Sequence, residues 1–370
     1  MQRILAFLLL LASTGAHAQQ SKLSDWMDNY VHHLPPAKHF RGNILAEQNG
    51  RVILDESYGL AVEEWNIPNT SRTKFEIASL SKQFTAAAIL ELADAGKLRV
   101  DDPIGKFYKD APHDWEEITI QHLLTHTSGI PNNEIKDFPK GIAAAYTPDE
   151  LIATFRNRPL AFAPGTKWAY TNTEYYLLAW IIEHVSGERY GAYLAGHIFT
   201  PLKMTHSGFQ PTLAIIPDMA EGYTVEEGQL RHRDYFDRSV EIGAGGIYTT
   251  TGDLLVWNRA LDSPGLLSAR SLDLMFTAHP PGNYGYGWFV DTAPRRRIYH
   301  EGGDPGFAAF EVRYPAEPLL IVVLSNQDDS PVREVANALA DHLLNDAREK
   351  HSSGRQVKYC LCGRCMRFTD

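Results

Sequence analysis

The chain has 370 residues, of which 44% are hydrophobic and 22% are charged, and its 45 acidic residues outnumber its 35 lysines and arginines. The formal net charge of −10 argues against nucleic acid and anionic membrane surfaces as partners. A chain of this size can bury a large core. Because all three cysteines lie in the last eleven residues, no disulfide is expected within that core.

The first 18 residues have the pattern of a secretory signal peptide. Arg3 supplies the charge, residues 4–12 are apolar, and Ala16-His17-Ala18 is a small-residue cleavage site. The apolar stretch is too short to span a bilayer, and no later stretch approaches the roughly 20 apolar residues that a span needs. No cysteine follows the cleavage site. We therefore expect an exported mature chain, periplasmic or secreted, without a membrane span.

Two short strands are predicted next, over residues 41–46 and 51–58. They lead into a helix that begins near Ser79 and ends before Gly96. Between residues 84 and 90 this helix carries no charge on any face. We therefore expect it to be buried on all sides rather than half-exposed.

The middle of the chain is predicted to be helical. Pro148 near the start of one helix and Gly187 just after the end of another are typical caps. The predicted helices cover residues 118–124, 147–156, 173–186, 189–199 and 251–261. After Pro281, short aromatic and β-branched stretches predict strands and then a closing helix. The strands cover residues 284–290, 297–300, 307–314 and 319–325, and the closing helix covers 331–344.

Strands at both ends with helices between them predict an α/β fold, in which the two extremities of the chain build one sheet and a helical lobe is inserted. The α/β part is expected at about 19–78 and 282–347, and the helical lobe at about 79–281. The tail over 349–370 is polar and lacks apolar periodicity, so we expect it to be disordered.

A serine and a lysine stand together at the start of the buried helix. Ser79 and Lys82 are three residues apart, close enough for their side chains to meet on one face. Lys82 faces the positive end of the helix dipole, which disfavours its charged form. A serine beside such a lysine is a nucleophile with its own base. The alternative is a capping serine and a lysine that reaches solvent, and Ser71 and Lys74 repeat the spacing without a buried helix.

Tyr170-Thr171-Asn172 lies just before a predicted helix. A tyrosine that a nearby ammonium keeps deprotonated could accept the serine proton. Asn172 could bind a substrate amide. Alternatively, Thr171 or Asn172 simply caps the helix.

His300-Glu301-Gly302-Gly303 is predicted to end a strand, where its glycines let a ligand approach the backbone closely. This segment could supply one oxyanion donor. The backbone N–H of Ser79, at the start of its helix, could supply the other.

No metal or cofactor is predicted. His122 and His126 have the i, i+4 spacing of a helical metal pair, but no third ligand is evident, and structural hydrogen bonding is the better explanation. Cys360, Cys362 and Cys365 could bind a metal. Their polar surroundings favour a disordered or non-native extension instead.

Three motifs, in this order and separation, resemble those of the serine β-lactamase and penicillin-binding-protein family: Ser79-x-x-Lys82, Tyr170-x-Asn172 and His300-x-Gly302. The most similar branch is the class C type with its related DD-peptidases, D-aminopeptidases and esterases. Residues 123–129, 245–250 and 284–288 resemble the same family, and the likeness covers residues 38–346. It implies a β-lactamase/transpeptidase-like fold, an antiparallel sheet flanked by helices beside a helical lobe, with the serine at their junction.

The resemblance also implies a role for each motif residue. It makes Ser79 the nucleophile, Lys82 its base and Tyr170 the proton shuttle. Asn172 would hold the substrate amide, and His300 stands where many relatives have a lysine. Gly302 and Gly303 of the third motif would contribute to substrate binding. The N–H of Gly303 would complete the oxyanion hole.

One departure concerns this third motif, which reads His-Glu-Gly rather than Lys-Thr-Gly. The change removes a permanent charge and a hydroxyl, and it disfavours efficient β-lactamase activity. If a protonated His300 binds a substrate carboxylate, that binding should weaken as pH rises through the ordinary histidine pKa of about 6.5.

The sequence therefore predicts an exported serine acyl hydrolase that forms an acyl-enzyme at Ser79. Its substrate would be a small molecule or short peptide, cell-wall-derived peptides included, such as a D-amino-acid peptide, a β-lactam or an ester. The alternative is a penicillin- or peptidoglycan-recognising protein that is acylated with little turnover. Retention of Lys82 and Tyr170 beside Ser79 favours turnover. The sequence leaves the substrate and the oligomeric state open.

Overall fold

The computed structural model describes residues 20–35, 39–209 and 213–353, with side chains as far as residue 345, together with two short strands in the tail. The predicted signal peptide over 1–18 lies outside the described residues, and so does most of the tail beyond 353. Within the described part, no helix is both long enough and apolar enough to cross a membrane.

The strands are short, and every pair of named strands is antiparallel. In chain order they are β1 (Gly42–Gln48), β2 (Arg51–Tyr58), β3 (Leu60–Val62), β4 (Ile67–Pro68), β5 (Phe75–Glu76), β6 (Tyr223–Glu226), β7 (Gln229–His232), β8 (Tyr248–Thr249), β9 (Phe289–Asp291), β10 (Arg297–Asp304), β11 (Phe307–Tyr314), β12 (Leu319–Ser325), β13 (Cys360–Leu361) and β14 (Arg364–Cys365).

Most helices lie between β5 and β9. In chain order the helices are α1 (20–32), α2 (Ser81–Asp94), α3 (Ile120–Leu124), α4 (Pro148–Ala153), α5 (Thr173–Ser186), α6 (Tyr190–Leu194), α7 (Thr200–Leu202), α8 (Thr251–Ala260), α9 (Ala269–Met275) and α10 (Val332–Ser353). A π-helical turn over Ala195–Phe199 joins α6 to α7.

One six-stranded sheet joins the two extremities of the chain, as the sequence predicts. Its strand order is β2-β1-β12-β11-β10-β9. The junction between the ends is the β1–β12 pair, in which Ile44 lies opposite Val323 and Leu45 opposite Val322.

Alternate residues of this sheet face two different apolar cores, because successive side chains of a strand point to opposite faces. Ile44 and Val323 pack with α1 and α10 on one face. Leu45 and Val322 belong to the larger core on the other face, which also contains α2 and the helices of the lobe. The sheet is therefore covered on both sides.

Helix α2 lies at the centre of the larger core, and the prediction that it is buried on all sides is confirmed. Every residue from Ser81 to Leu90 is buried. The helix contacts α5, α6 and α9 of the lobe. A helix without an exposed stripe needs no charged face, which explains its sequence.

Strand β10 differs from its prediction in a way that bears on the site. It continues to Asp304 instead of ending at residue 300, so His300-Glu301-Gly302-Gly303 lies within a strand. Glycine usually weakens a strand, but one glycine is required here. A Cβ on Gly302 would lie 2.3 Å from the carbonyl oxygen of Ile77.

Other elements were not predicted or were bounded differently. Of the strand predicted over 284–290, only Phe289 and Val290 are in β9, and α10 continues beyond residue 344. The sequence analysis also missed α1, α9 and the β6–β7 hairpin. Leu23 and Met27 of α1 are buried against the sheet. Such short elements are stabilised by tertiary packing rather than by their own propensity.

Candidate active site

Ser79 lies in the turn that precedes α2 and not in the helix itself. The turn is a single 3-10 turn over Ala78–Leu80, and Ala78 has a φ of 46°, in the left-handed region. That conformation costs roughly 1–2 kcal/mol for a residue other than glycine, so the surrounding structure must hold it. The N–H of Ile77 anchors the turn by donating to the carbonyl of Ile247 at 3.0 Å. Ser79 makes no capping hydrogen bond to α2.

Strand β10 crosses this turn at close range, and its two glycines have different surroundings. Besides the Ile77 carbonyl, a Cβ on Gly302 would meet the Cβ of Ala78 at 3.1 Å. Gly303 is exposed, and nothing lies within 4 Å of the position of its Cβ. Gly302 therefore lets the strand pass beside Ser79, while Gly303 leaves open space above the backbone.

Lys82 is fully buried and donates to three oxygen atoms. Its Nζ lies 2.9 Å from the Oγ of Ser79, 2.8 Å from the Oδ1 of Asn172 and 3.0 Å from the carbonyl oxygen of Ala244. Burial lowers the pKa of the amine to about 7. A neutral Lys82, able to take a proton from the serine, is therefore accessible at neutral pH.

The carboxyl groups of Glu241 and Asp304 partly offset the effect of burial on Lys82 by raising its pKa. The carboxyl groups of Glu241 and Asp304 lie beside each other. Burial raises the pKa of both, and the neighbouring Glu241 raises that of Asp304 further. The sequence analysis did not identify these residues, because neither of them belongs to a motif.

Tyr170 lies over Lys82, with the Nζ 4.7 Å from the centroid of its ring. Burial raises the pKa of its phenol, and the adjacent Ser79 side chain partly offsets this rise. The tyrosine therefore keeps its proton at neutral pH, in contrast to the deprotonated form that the sequence analysis considered. Its buried hydroxyl has no hydrogen bond of normal geometry within the described residues.

Asn172 is the N-cap residue of α5, but its side chain makes no capping hydrogen bond. Its Oδ1 instead accepts from Lys82, and its backbone N–H donates to the Oδ1 of Asn132 at 2.9 Å. The simple capping explanation of Tyr170-x-Asn172 therefore does not describe this side chain.

His300 differs from the cationic residue that the sequence analysis considered. It is buried, and both ring nitrogens are engaged: Nε2 lies 2.8 Å from the hydroxyl of Tyr284, and Nδ1 lies 2.6 Å from the carbonyl oxygen of Glu301. A carbonyl only accepts, so Nδ1 carries the hydrogen and Nε2 accepts from the tyrosine. Burial and the charge of Lys82 lower the pKa of His300 to about 3. The imidazole is therefore neutral at neutral pH.

A cleft of about 690 Å³ brings the predicted residues together. Its walls include Ser79, Tyr170, His300, Gly302, Gly303 and Arg333. Beneath this wall, Lys82 donates to Ser79 and to Asn172 through the hydrogen bonds given above. Five of the seven residues singled out from the sequence thus line one opening, and the other two, Lys82 and Asn172, are joined to Ser79 by hydrogen bonds beneath it.

The two histidines considered as a metal pair hold hydrogen bonds instead. His122 exchanges hydrogen bonds with Thr119 at the start of α3, and His126 contacts Glu174. In the part of the chain with described side chains, no group of three or more His, Cys, Asp or Glu residues could hold a metal ion.

The chain matches known proteins over most of its length. Residues 28–346 match the family model described as Beta-lactamase. The chain is 34% identical over 307 residues to PbpX of Bacillus subtilis (strain 168), which covers 83% of this chain and 75% of that protein. It is 30% identical over 328 residues to Penicillin-binding protein 4* of the same strain. That match covers 82% of this chain and 72% of the relative.

A solved structure supports the same relationship. The penicillin binding protein from Bacillus halodurans superposes with a TM-score of 0.73 at 29% sequence identity, covering 81% of this chain and 95% of that one. The β-lactamase/transpeptidase-like fold implied by the ordered motifs is thereby confirmed. The chain belongs to the serine β-lactamase and penicillin-binding-protein family, whose members are serine hydrolases.

Proposed function

We propose that this protein is an exported serine acyl hydrolase that forms an acyl-enzyme on Ser79 with amide or ester substrates. The observation that carries the proposal is the 2.9 Å contact between the Nζ of Lys82 and the Oγ of Ser79, in surroundings that lower the pKa of the amine to about 7. A serine with an adjacent base that is neutral in part at working pH is an activated nucleophile.

The proton and the bonds balance over one acylation. The Oγ of Ser79 attacks the substrate carbonyl while its proton passes to the neutral amine of Lys82. The backbone N–H groups of Ser79 and Gly303 would stabilise the resulting oxyanion. As the carbonyl reforms and the leaving group departs, the Tyr170 phenol protonates that group and regains a proton from the Lys82 ammonium. Deacylation follows the same steps with water as the nucleophile and the Ser79 oxygen as the leaving group. It releases the acid and restores Ser79.

The charge of the cleft bears on the choice of substrate. His300 is neutral, so Arg333 is the cationic side chain among the lining residues that the structure describes. Its guanidinium is paired with Glu301 at 2.6 Å. Uncharged esters and amides therefore suit the Ser79 end of the cleft, and a substrate carboxylate would have to compete with Glu301 for Arg333.

Slow acylation by penicillins with little turnover is a second candidate, supported by the names of the relatives. D-amino-acid peptides, cell-wall-derived peptides among them, remain substrates to test beside esters. The deciding experiment is a panel on purified mature protein: a p-nitrophenyl ester, a chromogenic cephalosporin and a D-Ala-D-Ala peptide. Multiple turnovers on any of them support the hydrolase, whereas a single stoichiometric burst on all that react supports the binding protein.

The assignment of the nucleophile has its own control. A fluorescent penicillin or phosphonate should label the wild type and Ser71→Ala equally but should not label Ser79→Ala. Ser71 repeats the spacing to a lysine and is exposed, so it is the matched alternative. Circular dichroism of Ser79→Ala should show an intact fold. Label found on Ser71 would overturn the assignment.

Export is tested separately. We propose that residues 1–18 direct export and are removed. Mass spectrometry of the exported protein should then find a mature chain that begins at Gln19. A chain that is retained with an intact first segment would contradict this part of the proposal.

A further inference from the structure

His126 is a fully buried residue that the proposed proton transfers do not use. It follows α3 with a φ of 58°, in the left-handed region that few residues other than glycine adopt. Such a conformation persists only where the surrounding contacts hold it. The contacts of His126 therefore indicate what its position serves.

The residues on both sides of Tyr170 donate to His126 through their backbone N–H groups. The N–H of Ala169 donates to its carbonyl oxygen at 3.0 Å, and the N–H of Thr171 donates to its Nδ1 at 3.4 Å. The centroid of the imidazole ring lies 4.4 Å from that of the Tyr170 ring. One residue thus holds the tyrosine by its backbone on either side and by its ring.

Glu174, in the first turn of α5, fixes His126 in turn. Its Oε2 lies 2.5 Å from the Nδ1 of His126. Its Oε1 accepts from the backbone N–H of Ser128 at 3.1 Å and from the Ser128 hydroxyl at 2.5 Å. Glu174 therefore joins the start of α5 to the loop that carries His126.

The hydrogen-bond contacts of this pair and its burial agree on where its protons lie. Burial raises the pKa of Glu174 well above its usual value and lowers that of His126 well below its usual value, and the charge of Lys82 lowers the latter further. The N–H of Thr171 points at Nδ1, so this nitrogen carries no hydrogen of its own, and a neutral imidazole beside a protonated carboxyl fits the contacts. The carboxyl then donates to Nδ1, which also accepts from Thr171, and the hydrogen of the imidazole is on Nε2.

Aromatic rings surround the imidazole. Its Nε2 has no hydrogen-bond partner in the described part of the chain. The rings of Tyr284 and Tyr175 lie 4.7 and 5.2 Å away, centroid to centroid. A neutral N–H packs against such rings, whereas a cation here would be repelled by Lys82.

We propose that His126 is a positioning residue for Tyr170, and that protonated Glu174 keeps His126 neutral and correctly oriented for this task. The inference rests on the proposed function, in which Tyr170 protonates the leaving group. A phenol whose own oxygen lacks a normal hydrogen bond depends on the packing of its ring for its direction. His126 supplies that packing together with the backbone contacts.

Leaving groups separate this role from a general structural one. Phenolate leaves poorly without a proton, whereas p-nitrophenolate leaves readily without one. His126→Asn should therefore reduce kcat/KM for a phenyl ester about tenfold more than for the p-nitrophenyl ester of the same acid. Asparagine tolerates the left-handed region, so the backbone of the variant should keep its conformation. Equal losses on the two esters, or no loss on either, would overturn the proposal.

Two matched variants sharpen the test. Glu174→Gln retains a hydrogen donor for Nδ1 and should largely preserve the ratio between the two esters, whereas Glu174→Leu should change it as His126→Asn does. His122→Asn, four residues earlier, loses the α3 cap and should affect both esters alike. A Glu174→Gln variant that behaves like Glu174→Leu would show that the carboxyl is not the protonated donor.

An independent measurement needs neither a substrate nor a folded variant of His126. The groups that face the imidazole are Lys82 from α2, Glu174 and Tyr175 from α5, and Tyr170, Tyr284 and His300. In Ser79→Ala with ¹⁵N-labelled histidines, the spectrum should contain one imidazole in the neutral Nε2–H form. This signal should not titrate between about pH 5.5 and 8.5, and its chemical shift should change in Glu174→Gln. Its absence would refute the proposal. Failure of the wild type to turn over any substrate of the panel would refute the proposed function while leaving this spectrum interpretable.

Discussion

Helix α2 borders two buried ionisable groups, the amine of its own Lys82 and the carboxyl of Glu311, which its Gln83 contacts. Only the surroundings of Lys82 form a candidate site. Lys82 faces the cleft, and burial lowers the pKa of its amine to about 7. Gln83, on the other side, donates to Glu311 of β11 at 3.2 Å, and burial raises the pKa of that carboxyl to about 7. Asn258 also donates to Glu311, and the Trp257 indole donates to Gln83.

The difference between these regions is access. The Glu311 region is sealed between the sheet and α8, and its carboxyl is fully buried. The Lys82 region contacts half-buried Ser79, which lines an open cleft. A pKa near neutrality therefore reports burial in both regions. What distinguishes a candidate catalytic site is a nucleophile within 3 Å of the shifted group and space for a substrate beside it.

The largest effect should come from removing the base. Lys82→Met keeps the volume of the side chain and removes its proton acceptor, so acylation by a p-nitrophenyl ester should slow about a thousandfold. The melting temperature should change little, because relief from burying a charge offsets the lost hydrogen bonds. Lys97→Met, at an exposed position three residues after the end of the same helix, is the control. An active Lys82→Met variant would remove Lys82 from the mechanism.

The two glycines of β10 should respond differently to alanine. In Gly302→Ala the new Cβ would clash with the carbonyl of Ile77, and a backbone atom cannot move aside easily, so we expect a destabilisation of about 3 kcal/mol by urea unfolding. Gly303→Ala should leave the stability nearly unchanged, because nothing lies near its Cβ, and should instead raise KM by narrowing the cleft. Equal stability losses would show that both glycines are structural.

Glu311→Gln should affect stability and leave activity intact. The raised pKa means that the stability contributed by protonated Glu311 is fully present below its unfolded pKa of 4.5 and is lost as pH rises through about 7. The variant should therefore be more stable than the wild type by about 3 kcal/mol at pH 8 and similar to it at pH 4. The exposed Glu227→Gln should show no such difference. A variant destabilised at every pH would show that Glu311 acts as an ionised acceptor.

The smallest effect is the pH profile of the wild type. Since Lys82 must be neutral to act, kcat/KM for an uncharged ester should rise about tenfold between about pH 6 and 8. His300, with a pKa of about 3, should not contribute, so a carboxylate-bearing substrate should follow a parallel profile. Affinity for the carboxylate substrate that falls near pH 6.5 would instead reveal a charged His300.

The amino-acid sequence determined the parts of this protein that depend on local pattern. The uncharged stretch of α2 predicts its burial, and short aromatic and β-branched stretches at both ends predict the sheet. The order and spacing of the three motifs predict the family, because residues at motif spacing such as Ser79 and Lys82 meet across one turn. Strands β2, β11 and β12 and helix α5 have the predicted bounds.

Tertiary structure alone decided the electrostatics of the site. Two of the three acceptors of Lys82 come from residues 90 and 162 positions away, Asn172 and Ala244. His300 is neutral because the fold buries it against Tyr284, and Glu174 meets His126 across 48 positions of sequence. A pKa depends on desolvation and on the charges and hydrogen bonds nearby in space, and these are set only when distant segments pack together.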